Sequence, residues 1–217
     1  MKKITHFLFD FDGTLIDSMP TFRNSVLTIL NKYGAKYPND IMKTVTPMGA
    51  KDAPKYCISE FDMDIREGEF FDLILEYAVP DYENSIPAKE GVREALSELK
   101  KRGYSLNILT GSPHQTLDPC YSRLGFDEYF ERSWSVNDFD TNKTDPRIYV
   151  ETARLLGVDP KNIVFLDDNI DANRAAKAAG LTVIGVYDPS SESFAEQMKR
   201  ELDGYVYDLR ELLDLYP

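Results

Sequence analysis

The apolar positions along this chain follow two different periods. Residues 4–9 are short and almost wholly apolar, the pattern of a strand covered on both faces in a parallel sheet. From residue 16 to 83 the spacing is helical. Phe22, Val26, Ile29, Leu30 and Tyr33 predict a helix over 20–33, with Asp17 or Ser18 as its cap and Gly34 as its stop. Pro38, Pro47, Gly49 and Pro54 divide 36–59 into expected short helices and turns. Phe70, Phe71, Ile74, Leu75 and Ala78 predict a helix over 66–78, which Pro80 disturbs with a few helical residues beyond it.

From residue 86 strands and helices alternate. Helices are predicted over 90–101, 115–124, 146–156, 172–179, 193–202 and 209–213. Strands are predicted over 104–109, within 130–136, and over 162–166, 181–186 and 205–206. This alternation implies an α/β fold, a doubly wound, mostly parallel, Rossmann-like sheet with helices on both faces. The expected organisation is a core of residues 1–15 and 84–217, with 16–83 inserted after the first strand as an α-helical cap domain.

With 217 residues the chain can hold one domain with an insertion or two small ones. Its balance of 42% hydrophobic and 29% charged residues is that of a soluble globular protein. A net charge of −12 argues against nucleic acid or an anionic membrane as partner, since phosphate backbones require a basic surface. A small phosphorylated metabolite remains compatible, because a local lysine and a metal ion can meet its charge. Cys57 and Cys120 are too few for a disulfide framework, and are read as buried apolar residues in a reducing compartment. Met1-Lys2-Lys3 begins like a leader, but Asp10 and Asp12 cut the following apolar stretch too short. No apolar run approaches the ~20 residues of a membrane span, so a cytoplasmic location is expected, as a monomer or homodimer.

The chemistry-bearing residues cluster where strands end. Asp10 and Asp12 follow the first strand, and Gly13 marks a sharp turn. Open α/β sheets bind ligands at that edge. A calcium loop would need further oxygen ligands where Leu15 and Ile16 stand, so that reading fails. Leu109-Thr110-Gly111-Ser112 ends another strand. It could hold phosphate oxygens through the Thr110 hydroxyl and neighbouring backbone N–H groups, or be a plain capped turn. Lys143 precedes a helix. Asp167 and Asp168 end an apolar strand, where two carboxylates are costly to bury without a cation. A helix N-terminus explains one of them better than two.

Asp10-Phe11-Asp12-Gly13-Thr14-Leu15 resembles the first motif of the haloacid dehalogenase superfamily. Leu109-Thr110-Gly111-Ser112, Lys143 and Val164-Phe165-Leu166-Asp167-Asp168-Asn169 resemble its second, third and fourth motifs, in order. The helical insertion is similar to that of the subgroup with a small α-helical cap, which holds phosphoglycolate phosphatases and β-phosphoglucomutases. The third motif departs mildly, with Lys143-Thr144-Asp145-Pro146 where the family often has Lys-Pro.

The resemblance implies a Mg²⁺-dependent phosphatase. Asp10 would be the nucleophile, forming an aspartyl-phosphate, and Asp12 the general acid and then base. Asp10, the Asp12 backbone carbonyl, Asp168 and secondarily Asp167 would hold the metal, with Asp171 not clearly in register. Thr110, Gly111 and Lys143 would grip the phosphoryl group. Between unit charges ~4 Å apart at an effective dielectric near 20, repulsion is about 4 kcal/mol, which the cation reverses. Thr46-Pro47-Met48-Gly49-Ala50-Lys51 resembles the cap's substrate loop by position. Lys51 could reach a substrate anion or simply be solvated, and the same holds for His114 beside the second motif. Asp12 points away from dehalogenation, since a departing halide needs no acid. A sugar phosphomutase and a catalytically silent binding or regulatory domain stay open as alternatives.

Overall fold

The computed structural model describes residues 3–217. Met1 and Lys2, which open the basic start considered above and the expected core, lie outside them. Among the described residues, six strands form one parallel sheet: β1 His6–Phe9, β2 Ser105–Thr110, β3 Arg132–Ser135, β4 Ile163–Asp167, β5 Thr182–Val186 and β6 Gly204–Val206, in the order β3-β2-β1-β4-β5-β6. β1 is central, pairing Phe9 with Ile108 on one side and Leu166 on the other. This is the doubly wound α/β class that the alternation implied.

The period of two in β1 divides the core. Phe7 and Phe9 join a cluster with Leu106, Ile108, Val164 and Leu166, covered by α5 Val92–Lys101, α6 His114–Arg123 and α10 Leu212–Leu215. Leu8 points to the opposite face, where Leu109 and Phe165 meet α7 Pro146–Leu156, α8 Ile170–Ala178 and α9 Ala195–Glu201. Every side chain from Phe7 to Phe9 is fully buried, which is why the strand reads as continuous apolar sequence.

Among the described residues, four helices lie between β1 and α5: α1 Met19–Lys32, α2 Ile41–Val45, α3 Gly49–Glu60 and α4 Glu67–Asn84. They bury a third cluster of their own, built on Val26, Ile29, Leu30, Val45, Cys57, Phe70 and Ile74. Two expectations need correction. Pro54 does not break its segment but lies inside α3, and α4 runs through Pro80 to Asn84. Each proline forfeits one backbone bond. Pro54 is buried, and α4 packs against α1, α3 and α6, so tertiary contact outweighs that loss. Ser18 does occupy the N-cap position of α1, but its hydroxyl makes no cap bond. No helix among the described residues is long and apolar enough to cross a membrane.

Candidate active site

β1 and β4 lie side by side, and the chain leaves them toward opposite faces of the sheet. A crevice therefore opens beyond their carboxyl ends. Asp10 follows β1, with its N–H still donating to Leu166 O at 2.8 Å, so the ladder fixes its backbone. Asp167 closes β4 and Asp168 follows it. Carboxylate oxygens of Asp10, Asp167 and Asp168 lie within 4.8 Å of one another, and all three residues are buried. Lys143 reaches between them. Its Nζ donates to Asp10 Oδ1 at 2.5 Å and forms an ion pair with Asp167. The lysine is anchored in turn, since Tyr149 OH donates to its carbonyl at 2.8 Å.

Three carboxylates share one ammonium here. Burial pushes Asp10 up to about 8, with Lys143 opposing and Asp167 and Asp12 adding to the rise. Asp168 is raised well above the carboxylate range, first by burial and then by Asp167, Asp10 and Asp188, with Lys89 opposing. Burial alone would favour a neutral Lys143, but Asp10 and Asp167 outweigh it and hold the ammonium charged. Asp168 accepts no hydrogen bond from any described residue. A cluster of three hard oxygen donors suits a divalent cation such as magnesium.

Asp12 stands apart from this acidic corner and is surrounded by hydroxyls. Ser18 Oγ donates to Oδ1 at 2.7 Å, and the Tyr82 phenol donates to the same oxygen. Ser112 Oγ donates to Oδ2 at 2.6 Å, and Thr110 Oγ1 lies 3.4 Å from the same oxygen. Thr110 Oγ1 also accepts the Ser112 N–H at 3.0 Å, fixing the turn after β2. Ser18, Tyr82 and Ser112 were not among the site residues expected from sequence. Ser112 lay in the strand-end segment already singled out, whereas Tyr82 comes from the far end of α4 and carries no local signal.

The turn after β1 presses against Asp168. Gly13 has φ +76°, and a Cβ there would lie 2.8 Å from Asp168 Cγ, Oδ1 and Oδ2. Only glycine permits that approach. Lys89, also unforeseen, holds the turn from below: its Nζ donates to Gly13 O at 2.6 Å and Tyr187 O at 2.7 Å.

A cavity of 670 Å³ spans this edge, with Asp10, Asp12, Thr110, Gly111, Lys143, Asp167 and Asp168 along one side. The helices opposite contribute Phe22, Met48, Ile74 and Leu75, together with Lys43 and Lys51. The cavity thus brings in Lys51. It does not bring in His114, whose Nδ1 pairs with Asp118 at 2.9 Å and Nε2 with Asp138 at 3.0 Å. Those two hydrogen bonds hold the ring above its ordinary pKa, and the substrate role considered for it finds no contact here. Asp171 lines the cavity but stays outside the acidic cluster, paired with Arg174 at 3.3 Å. Cys57 and Cys120 are buried and unpaired, and burial pushes both thiols up to about 11.

Comparison with known proteins agrees with this geometry. The family model for haloacid dehalogenase-like hydrolases matches residues 4–180. Pyrophosphatase PpaX of Bacillus velezensis is 30% identical over 190 residues, covering 85% of this chain and 84% of its own. Hexitol phosphatase B of Escherichia coli K12 is 26% identical over 195 residues, covering 88% and 87%. The crystal structure of CbbY from Rhodobacter sphaeroides in complex with phosphate superposes with a TM-score of 0.81 at 22% identity, covering 96% of each chain. With the model matching most of its length and all four motif segments at the mouth of one cavity, the chain belongs to the haloacid dehalogenase-like hydrolases.

Proposed function

We propose that this hydrolase is a magnesium-dependent phosphatase that cleaves a small phosphomonoester through an aspartyl-phosphate on Asp10. The observation that carries the proposal is the division of labour at the sheet edge. Asp10 sits between a buried cationic and acidic corner on one side and a hydroxyl-held Asp12 on the other. When bound, Mg²⁺ would be held by Asp10, Asp168, the Asp12 carbonyl and secondarily Asp167, and would supply the charge that lets a phosphate approach a carboxylate.

Asp10 attacks phosphorus, and the P–O bond to the leaving alcohol breaks. Asp12 delivers the proton that the alkoxide requires. The same carboxylate then takes a proton from water as that water attacks the aspartyl-phosphate. Lys143 and the Thr110–Gly111 turn bind the phosphoryl oxygens and offset charge in the transition state. The helices of residues 16–83 act as a cap domain over the core of residues 1–15 and 84–217, with Lys51 facing the substrate. Free, unpaired thiols suit a cytoplasmic enzyme.

The curated relatives bear names that refer to pyrophosphate, hexitol phosphates and phosphorylated carbohydrates, so sugar and polyol phosphates head the substrate panel. The test is phosphate release from that panel with and without Mg²⁺, comparing the wild type with Asp10→Asn. Glucose 1-phosphate with a bisphosphate primer is included and read for isomerised product. Metal-dependent release that disappears in a folded Asp10→Asn protein is expected. Release that persists in the variant removes Asp10 as nucleophile, and isomerisation without release makes the enzyme a mutase.

A further inference from the structure

Lys89 is a largely but not fully buried cation with no part in the chemistry above. Its side chain is 20% exposed and its partner Asp188 2% exposed, at 3.0 Å. The ammonium has three acceptors from two separate turns: Gly13 O, and Tyr187 O with Asp188 Oδ2. Its own backbone N–H donates to Leu15 O at 3.0 Å. Asp188 is occupied on its other oxygen, where Ser190 N–H and Oγ donate at 2.9 and 2.6 Å. Three segments of the fold therefore meet at one ammonium: the turn after β1, the start of α5 and the turn after β5.

We propose that Lys89, with Asp188, is a positioning residue for the metal corner. This rests on the magnesium reading above. Gly13 is the point where the backbone lies against the Asp168 carboxylate, and its carbonyl is one peptide beyond that of Asp12. Tying Gly13 O to the turn after β5 fixes the Asp12–Gly13 turn and the wall that Asp168 rests on. Pairing with Asp188 also keeps a further carboxylate near Asp168 from adding an unmatched charge. Residues that orient metal ligands without touching the ion commonly change affinity by about 10- to 100-fold when removed.

The test is calorimetric titration of the full-length protein with Mg²⁺ alone. Wild type, Lys89→Met and the charge-balanced double variant Lys89→Met/Asp188→Asn are compared. The double variant should bind Mg²⁺ about tenfold more weakly or worse. The single variant should fall between, because its unmatched Asp188 adds attraction for the cation. A merely structural role would lower the melting temperature and leave the Mg²⁺ Kd, read far below the transition, unchanged. A folded double variant with wild-type Kd therefore overturns the proposal. If the methionine variants do not fold, Lys89→Gln is titrated instead. Its amide keeps two donors, so a several-fold weakening is expected and an unchanged Kd again refutes the role. A wild type that binds no Mg²⁺ overturns the metal reading itself, and this proposal with it.

Discussion

Replacing Lys143 by methionine removes the one ammonium, among the described residues, that contacts the Asp10–Asp167–Asp168 cluster, and keeps most of the apolar stem. The lysine side chain is 12% exposed, against 7% for Asp10 and 1% for Asp167, so water offers the orphaned carboxylates little compensation. Breaking a buried pair from one side costs about 3–5 kcal/mol. For a chain of this size, that corresponds to a fall in melting temperature of roughly 6–20 °C. The loss should depend on pH. Asp10 is raised in the folded protein to about 8, far above its value in the unfolded chain. Between those two values the folded state holds a proton that the unfolded state has released. Stability of the metal-free protein therefore declines as pH rises through that window. Without Lys143 opposing it, Asp10 rises further and the decline extends to higher pH, so the deficit is largest near pH 8.5 and smallest near about pH 5. Mg²⁺ should then stabilise the variant more than the wild type, because it replaces a missing cation. At a concentration 100 times Kd, the gain is about 2.7 kcal/mol. Thermal melts across pH, with and without Mg²⁺, read all three effects. A metal-free variant that melts with the wild type at high pH would refute the idea that Lys143 neutralises this corner.

Other outcomes follow from the same geometry. Gly13→Ala should lose about 1–2 kcal/mol from the left-handed backbone. It should also displace Asp168, so the rise in melting temperature given by Mg²⁺ shrinks; an undiminished rise contradicts the contact at 2.8 Å. Tyr82→Phe removes a hydroxyl that donates to the Asp12 carboxyl, an interaction of about 0.5–3 kcal/mol. Turnover of alkyl phosphates should fall about tenfold or more, with less effect on p-nitrophenyl phosphate, whose leaving group needs no acid. Equal losses on both substrates would detach Tyr82 from the acid step. Because Asp10 and Asp168 are raised, Mg²⁺ must displace protons to bind. Its affinity should tighten between about pH 6 and 8, by up to tenfold per unit for each proton released, and a flat titration would contradict the raised carboxyls.

Much of this site is legible in the chain because strand ends are. The unbroken apolar run Phe7-Leu8-Phe9 reads as a strand buried on both faces, and it delivers Asp10 to the sheet edge. The same logic places Thr110 at the end of β2 and Asp167 at the end of β4. Helix starts were readable where a signal is local, as at Pro146, which follows the Asp145 cap. The prolines misled because their cost is local and the packing that outweighs it is not; Pro54 and Pro80 both lie within continuous helices. The hydroxyl cage of Asp12 is illegible for a similar reason. Ser18 reads as a helix cap and Tyr82 carries no local signal, until folding brings both to one carboxylate. Lys89 carries no local signal either, and only the meeting of the turns after β1 and β5 shows its contacts.

The most direct measurement of the central claim is acid-quenched peptide mass spectrometry on the Asp12→Asn variant with p-nitrophenyl phosphate and Mg²⁺. The leaving group departs without an acid, so the first step proceeds, while hydrolysis of the intermediate lacks its base. A burst of p-nitrophenolate stoichiometric with enzyme, and a hydroxylamine-labile phosphate on the peptide that carries Asp10, is the expected result. Phosphate on a different residue, or a burst with no phosphorylated peptide, would contradict Asp10 as the nucleophile.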